Sequence, residues 1–143
     1  MGIGRDGWYT EKKQKYHTLP EKKQIGIKEL IQEAHENAVK HGFWDAYNAL
    51  HTFKNDEFNY LDTYGGETEK AFISQFLMLI VSEVAEAEEA LRHNDEDNFT
   101  EEISDIIIRT CDLAGGLDID LEAEIQKKME INKNRPYKHG KEF

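Results

Sequence analysis

Apolar residues recur at helical spacing through residues 73–91 of this 143-residue chain, and few folds can accommodate such a run. The repeat, with steps of four and three residues, consists of Ile73, Leu77, Ile80, Val84, Ala87 and Leu91. That spacing places every member on one side of an α-helix. We therefore predict a helix over about residues 68–92 that lies at the centre of the core.

Three shorter segments have the same periodicity. One is predicted at about residues 26–41, before Gly42, and another at about 99–114, ending at Gly115-Gly116. The last begins near Asp120, whose carboxylate can cap a helix, and continues to Pro136. The expected core positions of these segments are Ile27, Ile31, Ala34 and Ala38, then Phe99, Ile103, Ile106, Ile107 and Leu113, and finally Leu121, Ile125 and Met129.

No segment has a convincing strand pattern or an internal repeat, so the sequence predicts an all-α fold of the four-helix-bundle type. The length suits one domain. We place this domain at residues 25–143, after a polar arm at residues 1–24. Residues 52–67 lack periodicity, and we interpret them as a long loop that carries the aromatic residues Phe53, Phe58, Tyr60 and Tyr64.

The composition excludes several classes of protein. The net charge of −11 argues against binding to nucleic acid or to an anionic membrane, because both surfaces would repel the chain. A single cysteine, Cys111, cannot close an intramolecular disulfide. The longest apolar run, Phe76 to Val81, is too short for a membrane span, and we find no apolar signal segment. These features predict a cytoplasmic protein.

A second stripe of the long helix changes from apolar to acidic. Phe72, Phe76 and Leu79 are followed on it, at the same spacing, by Glu83 and Glu86. Carboxylates three residues apart project from one helix face. Because the first half of the stripe is typical of a core, this acid pair is expected to point toward a neighbouring helix.

The next predicted helix carries a matching pair, Glu102 and Asp105, with Arg109 and Asp112 further along the same stripe. Four carboxylates on adjacent helices would repel one another unless cations were bound between them. Oxygen ligands of this kind suit Mg²⁺ or Mn²⁺. The alternative is that all four are ordinary solvent-facing acids of an acidic chain.

The last predicted helix offers a complementary surface. Lys128, Asn132 and Arg135 are spaced by four and three residues and would share a face. Such a face beside bound metal could receive a polyphosphate. For Lys128 the alternative is a basic residue that simply favours the helix macrodipole.

These residues resemble the MazG-like nucleotide pyrophosphohydrolases, an all-α family whose signature is ExxE followed, after a dozen or more residues, by ExxD. The signature stands here as Glu83-Val84-Ala85-Glu86 and Glu102-Ile103-Ser104-Asp105. The similarity extends through KMEINKNRPYKHGK at 128–141 and back to HENAVKHGFWD at 35–45. It therefore covers about residues 25–140.

The resemblance implies an activity, a cofactor and an assembly. The expected reaction is hydrolysis of a nucleoside triphosphate, preferentially a deoxynucleotide, to the monophosphate and pyrophosphate with Mg²⁺, for which Mn²⁺ could substitute. The family bundle assembles as a homodimer or homotetramer. Phosphoribosyl-ATP or an alarmone is an alternative substrate, because related helical enzymes share the acid pairs.

The resemblance also implies residue roles. Glu83, Glu86, Glu102 and Asp105 would be the metal ligands and the catalytic residues, while Lys128, Asn132 and Arg135 would face phosphates or sugar. His35 and Trp44 match positions that line the base pocket in the branch acting on deoxycytidine nucleotides, and Arg109 replaces an aromatic residue of that branch. Two alternatives stay open: a core or interface position for Trp44, and a hydrogen-bonded helix position for His35.

Two functions of other classes compete with this interpretation. A non-catalytic helical module could bind a nucleotide or a metal, or mediate dimerisation. A carboxylate-bridged di-iron or di-manganese oxidoreductase would need ExxH pairs, and none of the six histidines has a glutamate three positions before it.

Overall fold

The structure, a computed structural model, describes residues 24–53 and 59–136, and in these ranges it contains five α-helices and no strand. They are α1 (Ile27–Lys40), α2 (Asp45–Phe53), α3 (Asn59–Arg92), α4 (Glu96–Gly116) and α5 (Leu121–Lys133). The predicted all-α class is confirmed. Apart from residue 24, the predicted N-terminal arm lies outside the described residues.

Helix ends follow the local signals in three places. Gly42, just beyond α1, has φ +81°, a conformation that glycine adopts without strain. Asp120 caps α5 by accepting a hydrogen bond from the Ala123 amide at 3.1 Å, as predicted. Asp95 caps α4 in the same way through the Asn98 amide.

The predicted loop at 52–67 is wrong over most of its length. Residues 52 and 53 end α2, and residues 59–67 form the beginning of α3, which includes both Gly65 and Gly66. A nine-residue helix is too short to show a clear apolar period, and two glycines in succession hide the helical start of α3. Residues 54–58 and the side chains of Phe53, Phe58, Tyr60 and Tyr64 lie outside the described part.

α4 ends at Gly116, as the Gly115-Gly116 pair predicts, and both glycines belong to its last turn. Their role is close packing. A Cβ on Gly116 would lie 2.0 Å from Cη2 of Trp44, and one on Gly115 would lie 2.7 Å from Cβ of His35. Because these two positions have no side chain, two parts of the protein can approach α4 closely. One is α1, and the other is the segment after α1 that carries Trp44.

The core is centred on an aromatic cluster. Trp44 stacks on Phe76 with ring centroids 4.2 Å apart, and Tyr47 and Leu113 complete the buried group. Phe72 and Leu79 pack against it from α3. Phe72, Phe76 and Leu79 form the apolar half of the α3 stripe that continues into Glu83 and Glu86, and this half thus faces the core.

The apolar stripe that the sequence places at the centre is only partly buried. Leu77, Val84 and Leu91 are each about half exposed, at 49%, 50% and 46%. Ile103 and Ile107 on α4, also expected in the core, are exposed as well. The long helix has two apolar sides, and a single chain covers only one of them.

The helices pack in a defined order. α3 and α4 form a hairpin, α1 lies against α4, α2 contacts α3, and α5 contacts α1. Among the described residues, no helix is both long enough and apolar enough to cross a membrane.

Candidate functional site

Three acidic side chains meet between α3 and α4. Glu83, Glu86 and Glu102 each offer one carboxylate oxygen, and these oxygens all lie within 4.8 Å of one another. Glu83 and Glu102 are buried, whereas Glu86 is exposed. We call these three residues the acid cluster.

The short turn between the helices explains why these acids meet. Asn94, with φ 55°, lies in this turn, and α3 and α4 run antiparallel from it. Glu86 and Glu102 are each eight residues from Asn94, and Glu83 and Asp105 are each eleven. Residues equidistant from a tight turn come to the same level of a helical hairpin, so the two acid pairs face each other.

The acid cluster is electrostatically strained in the absence of a cation. Burial raises the pKa of Glu102, and a hydrogen bond with Glu83 raises it further. The negative charges of Glu86, Glu83 and Asp105 act in the same direction. A divalent cation would reverse this by favouring the ionised form of each ligand.

The donor set fits a hard divalent cation. All three donors are carboxylate oxygens, which suit Mg²⁺ or Mn²⁺ rather than a softer metal. Glu83 and Glu102 are buried beside one another, an arrangement that is costly unless positive charge compensates both, and the ion pair of Arg109 is with Glu83.

Asp105, the fourth predicted ligand, is half-buried and lies outside the three-residue group. It is nevertheless near enough for its charge to raise the pKa of Glu102. The structure therefore brings three of the four predicted ligands together and places the fourth beside them.

Arg109 pairs with one member of the acid cluster. Its Nε–H donates to Oε1 of Glu83, and the two side chains are 34% and 8% exposed. Arginine four residues after Asp105 lies on the same face of α4. The sequence placed Arg109 on this stripe but gave no sign of the contact with Glu83, because the partners are on different helices.

A second polar group lies further along the same face of α4. Oδ1 of Asp112 accepts a 2.7 Å hydrogen bond from Nε1 of Trp44, and Nδ1 of His35 lies 2.9 Å from the same oxygen. His35 also meets the indole edge-on, with ring centroids 4.9 Å apart. Asp112 thus joins α1, the segment after it and α4, a role that sequence analysis missed.

Trp44 and His35 differ in what they can contact. Trp44 is 1% exposed, so the ring is a core residue and offers no surface to a nucleotide. His35 is hydrogen-bonded but half-buried, and it lines an open cleft of about 300 Å³ between α1 and the end of α4. The structure therefore supports the core alternative for Trp44 and leaves His35 accessible.

The predicted cationic face is not a single helical face. Lys128 and Asn132 are exposed on α5, but the helix ends at Lys133, so Arg135 lies beyond its last turn. α5 packs against α1, whereas the acid cluster belongs to α3 and α4.

Cys111 is a core residue. Its side chain is buried, and burial raises the pKa of the thiol, so the reactive thiolate is disfavoured. This agrees with a site that uses carboxylates and no thiol nucleophile.

Comparison with known proteins identifies one family. The model of the MazG-like family matches residues 73–143, a segment that includes the whole acid cluster, Asp105 and Arg109. Neither the curated proteins nor the solved structures gave a match. Residues 73–143 of this chain therefore match the MazG-like family.

Proposed function

We propose that this protein hydrolyses a nucleoside triphosphate to the monophosphate and pyrophosphate with Mg²⁺. The observation that carries the proposal is the meeting of Glu83, Glu86 and Glu102 between two helices, inside the segment that matches the MazG-like family. The family points to a nucleotide pyrophosphatase in general. The identity of the metal and the form of the nucleotide belong to the proposal.

In this proposal the acid cluster and Asp105 hold the metal. Bound divalent cations polarise phosphate oxygens and lower the pKa of a bound water. The protein contributes two buried carboxylates fixed by helix packing and one exposed carboxylate, Glu86, that solvent and substrate can reach. Mn²⁺, which accepts the same oxygen ligands, is expected to substitute for Mg²⁺.

The remaining substrate contacts are proposed from accessible residues. His35, in its open cleft, is the candidate for contact with the base. Its position matches one that lines the base pocket in the deoxycytidine branch, and this resemblance favours a deoxynucleotide. Lys128, Asn132 and Arg135 remain candidates for contact with phosphates or sugar. Trp44 acts indirectly, through its hydrogen bond to Asp112, which also holds His35.

We further propose that the chain forms a homodimer or homotetramer. Leu77, Val81, Val84 and Leu91 form a stripe on α3 in which every member is about half exposed. Contiguous exposed apolar surfaces often mark association sites. A second copy of the same chain would cover the side of α3 that one chain leaves open.

The reaction is tested by incubating the purified protein with ribo- and deoxyribonucleoside triphosphates, phosphoribosyl-ATP and an alarmone, in Mg²⁺ or in EDTA. Products are resolved by ion exchange. We expect a nucleoside triphosphate to yield monophosphate and pyrophosphate in Mg²⁺ only. Binding of a nucleotide without any product would instead support a non-catalytic module.

Variants link the reaction to the acid cluster. Glu86→Gln and Asp105→Asn should each abolish turnover while leaving the helical circular dichroism unchanged. Glu88→Gln is the matched control, because Glu88 is an exposed acid of α3 that pairs with Arg92. Near-normal Mg²⁺-dependent turnover in Glu86→Gln or Asp105→Asn would refute the assignment of that residue.

A further inference from the structure

The guanidinium of Arg109 uses only part of its hydrogen-bonding capacity. A guanidinium has five N–H donors. In the part of the chain that the structure describes, its Nε–H donates to Oε1 of Glu83. The side chain is one-third exposed, so solvent reaches the rest of the group.

The position of Arg109 places this capacity beside the acid cluster. Its partner Glu83 is a member of the cluster and is only 8% exposed in its side chain, so Arg109 supplies a positive charge at the edge of a buried acidic group. The carboxylate of Glu83 has two oxygens, and the contact from Nε of Arg109 is with Oε1. A cation and Arg109 can therefore share this carboxylate.

Arginine suits a bridging role because of its shape. The planar fork can donate from Nε on one side and from its terminal NH₂ groups on the other, and those groups match the oxygens of a phosphate. A lysine ammonium is a point charge and cannot hold both partners in one fixed geometry.

We propose that Arg109 binds the polyphosphate of the substrate through its terminal NH₂ groups while its Nε–H holds Glu83 in place. This inference rests on the proposed function. It makes Arg109 a substrate-binding residue for the phosphates and a positioning residue for one metal ligand. The nucleotide would thereby contact both the bound cation and the side chain that orients the cation's ligand.

The test measures binding of inorganic triphosphate, which carries no base and needs no knowledge of the preferred nucleotide. Mn²⁺ affinity is first measured by calorimetry without phosphate, and triphosphate affinity is then measured at saturating Mn²⁺. We expect Arg109→Gln to weaken triphosphate binding by about tenfold or more, since it removes a charged hydrogen-bond donor. Arg109→Lys should show a smaller loss, because it keeps the charge but not the fork.

Mn²⁺ affinity separates the two roles. Arg109→Gln removes a positive charge beside the carboxylates, and this increases their attraction for Mn²⁺. The gain offsets the effect of a Glu83 side chain that is no longer held in place. We therefore expect Mn²⁺ binding by Arg109→Gln to remain within about threefold of the wild type. Arg92→Gln is the matched control, because Arg92 also pairs with a glutamate, Glu88, but on an exposed face.

Each outcome decides the inference. Triphosphate binding by a folded Arg109→Gln that equals that of the wild type would overturn it, and so would a loss of Mn²⁺ binding as large as the loss of triphosphate binding. If Arg109→Gln does not fold, the same comparison is made with Arg109→Lys, and unchanged triphosphate affinity there overturns the inference. A wild-type protein that binds neither ligand and hydrolyses no nucleotide would refute the proposed function itself.

Discussion

The buried indole of Trp44 donates a 2.7 Å hydrogen bond to Oδ1 of Asp112, across 68 positions of sequence. The same oxygen lies 2.9 Å from Nδ1 of His35. One carboxylate on α4 thus fixes two side chains. One is Trp44, the central aromatic ring of the core, and the other is His35, the accessible histidine of α1.

Asp112→Ala should destabilise the protein. The substitution leaves a buried indole N–H without its acceptor, and such a loss lowers the free energy of unfolding by about 1–3 kcal/mol. Chemical denaturation followed by circular dichroism measures the change. Glu101→Ala, at an exposed position of α4, is the control and should have little effect. Equal stability of the two variants would show that the Asp112 hydrogen bonds do not hold this region together.

Gly116→Ala should also destabilise the protein, because the new Cβ would lie 2.0 Å from Cη2 of Trp44 and the indole would have to move. Overpacking of this kind typically costs about 1–3 kcal/mol. Gly66 is the matched control, since it lies inside α3 with nothing within 4 Å of its added Cβ. Gly66→Ala should stabilise the protein, by up to about 1 kcal/mol. A Gly116→Ala variant that unfolds at the wild-type denaturant concentration would contradict the close packing.

The acid cluster should make the metal-free protein less stable as the pH rises. The pKa of Glu102 is raised above its ordinary value of 4.5, so the folded state retains the proton after the unfolded state has lost it. The free energy of unfolding therefore falls as the pH increases from 4.5 through the raised pKa.

Denaturation in EDTA at a series of pH values measures this slope. Glu102→Gln should flatten it, because the amide does not titrate, whereas Glu101→Gln should retain the wild-type slope. If Glu102→Gln and the wild type lose stability equally over this range, the raised pKa does not govern the pH dependence.

Association through α3 should be sensitive to charge on its exposed apolar stripe. Val81→Glu places a carboxylate on a side chain that is 52% exposed in the single chain and would be covered in a homodimer or homotetramer. We expect this variant to sediment as a smaller species than the wild type. Gln75→Glu adds the same charge at an exposed polar position and should sediment as the wild type does. A wild-type protein that is monomeric at all concentrations would refute the proposed assembly.

The acid cluster could be predicted because its signals are local. Each pair occupies one face of its own helix, and a turn of three residues between α3 and α4 leaves little freedom in how the faces meet. The same applies to the capping aspartate of α5, which acts on an amide three residues away.

The contacts of Trp44, Asp112 and Gly116 could not be predicted in this way. Each joins residues that are far apart in sequence, and helical periodicity says nothing about which partners meet across helices. Two adjacent glycines after an apolar run usually end a helix, so their packing role was not apparent. The exposure of the apolar stripe on α3 could not be predicted for a similar reason, since periodicity identifies an apolar side of a helix but not what covers it.

The proposed function depends most on whether the acid cluster binds a divalent cation. Calorimetric titration of the metal-free protein with Mn²⁺, compared for the wild type, Glu102→Gln and Glu101→Gln, tests this directly. We expect saturable binding by the wild type and by Glu101→Gln, and an Mn²⁺ affinity lower by about tenfold or more in Glu102→Gln. Equal Mn²⁺ affinity in all three proteins, or no binding by any of them, would contradict the proposed function.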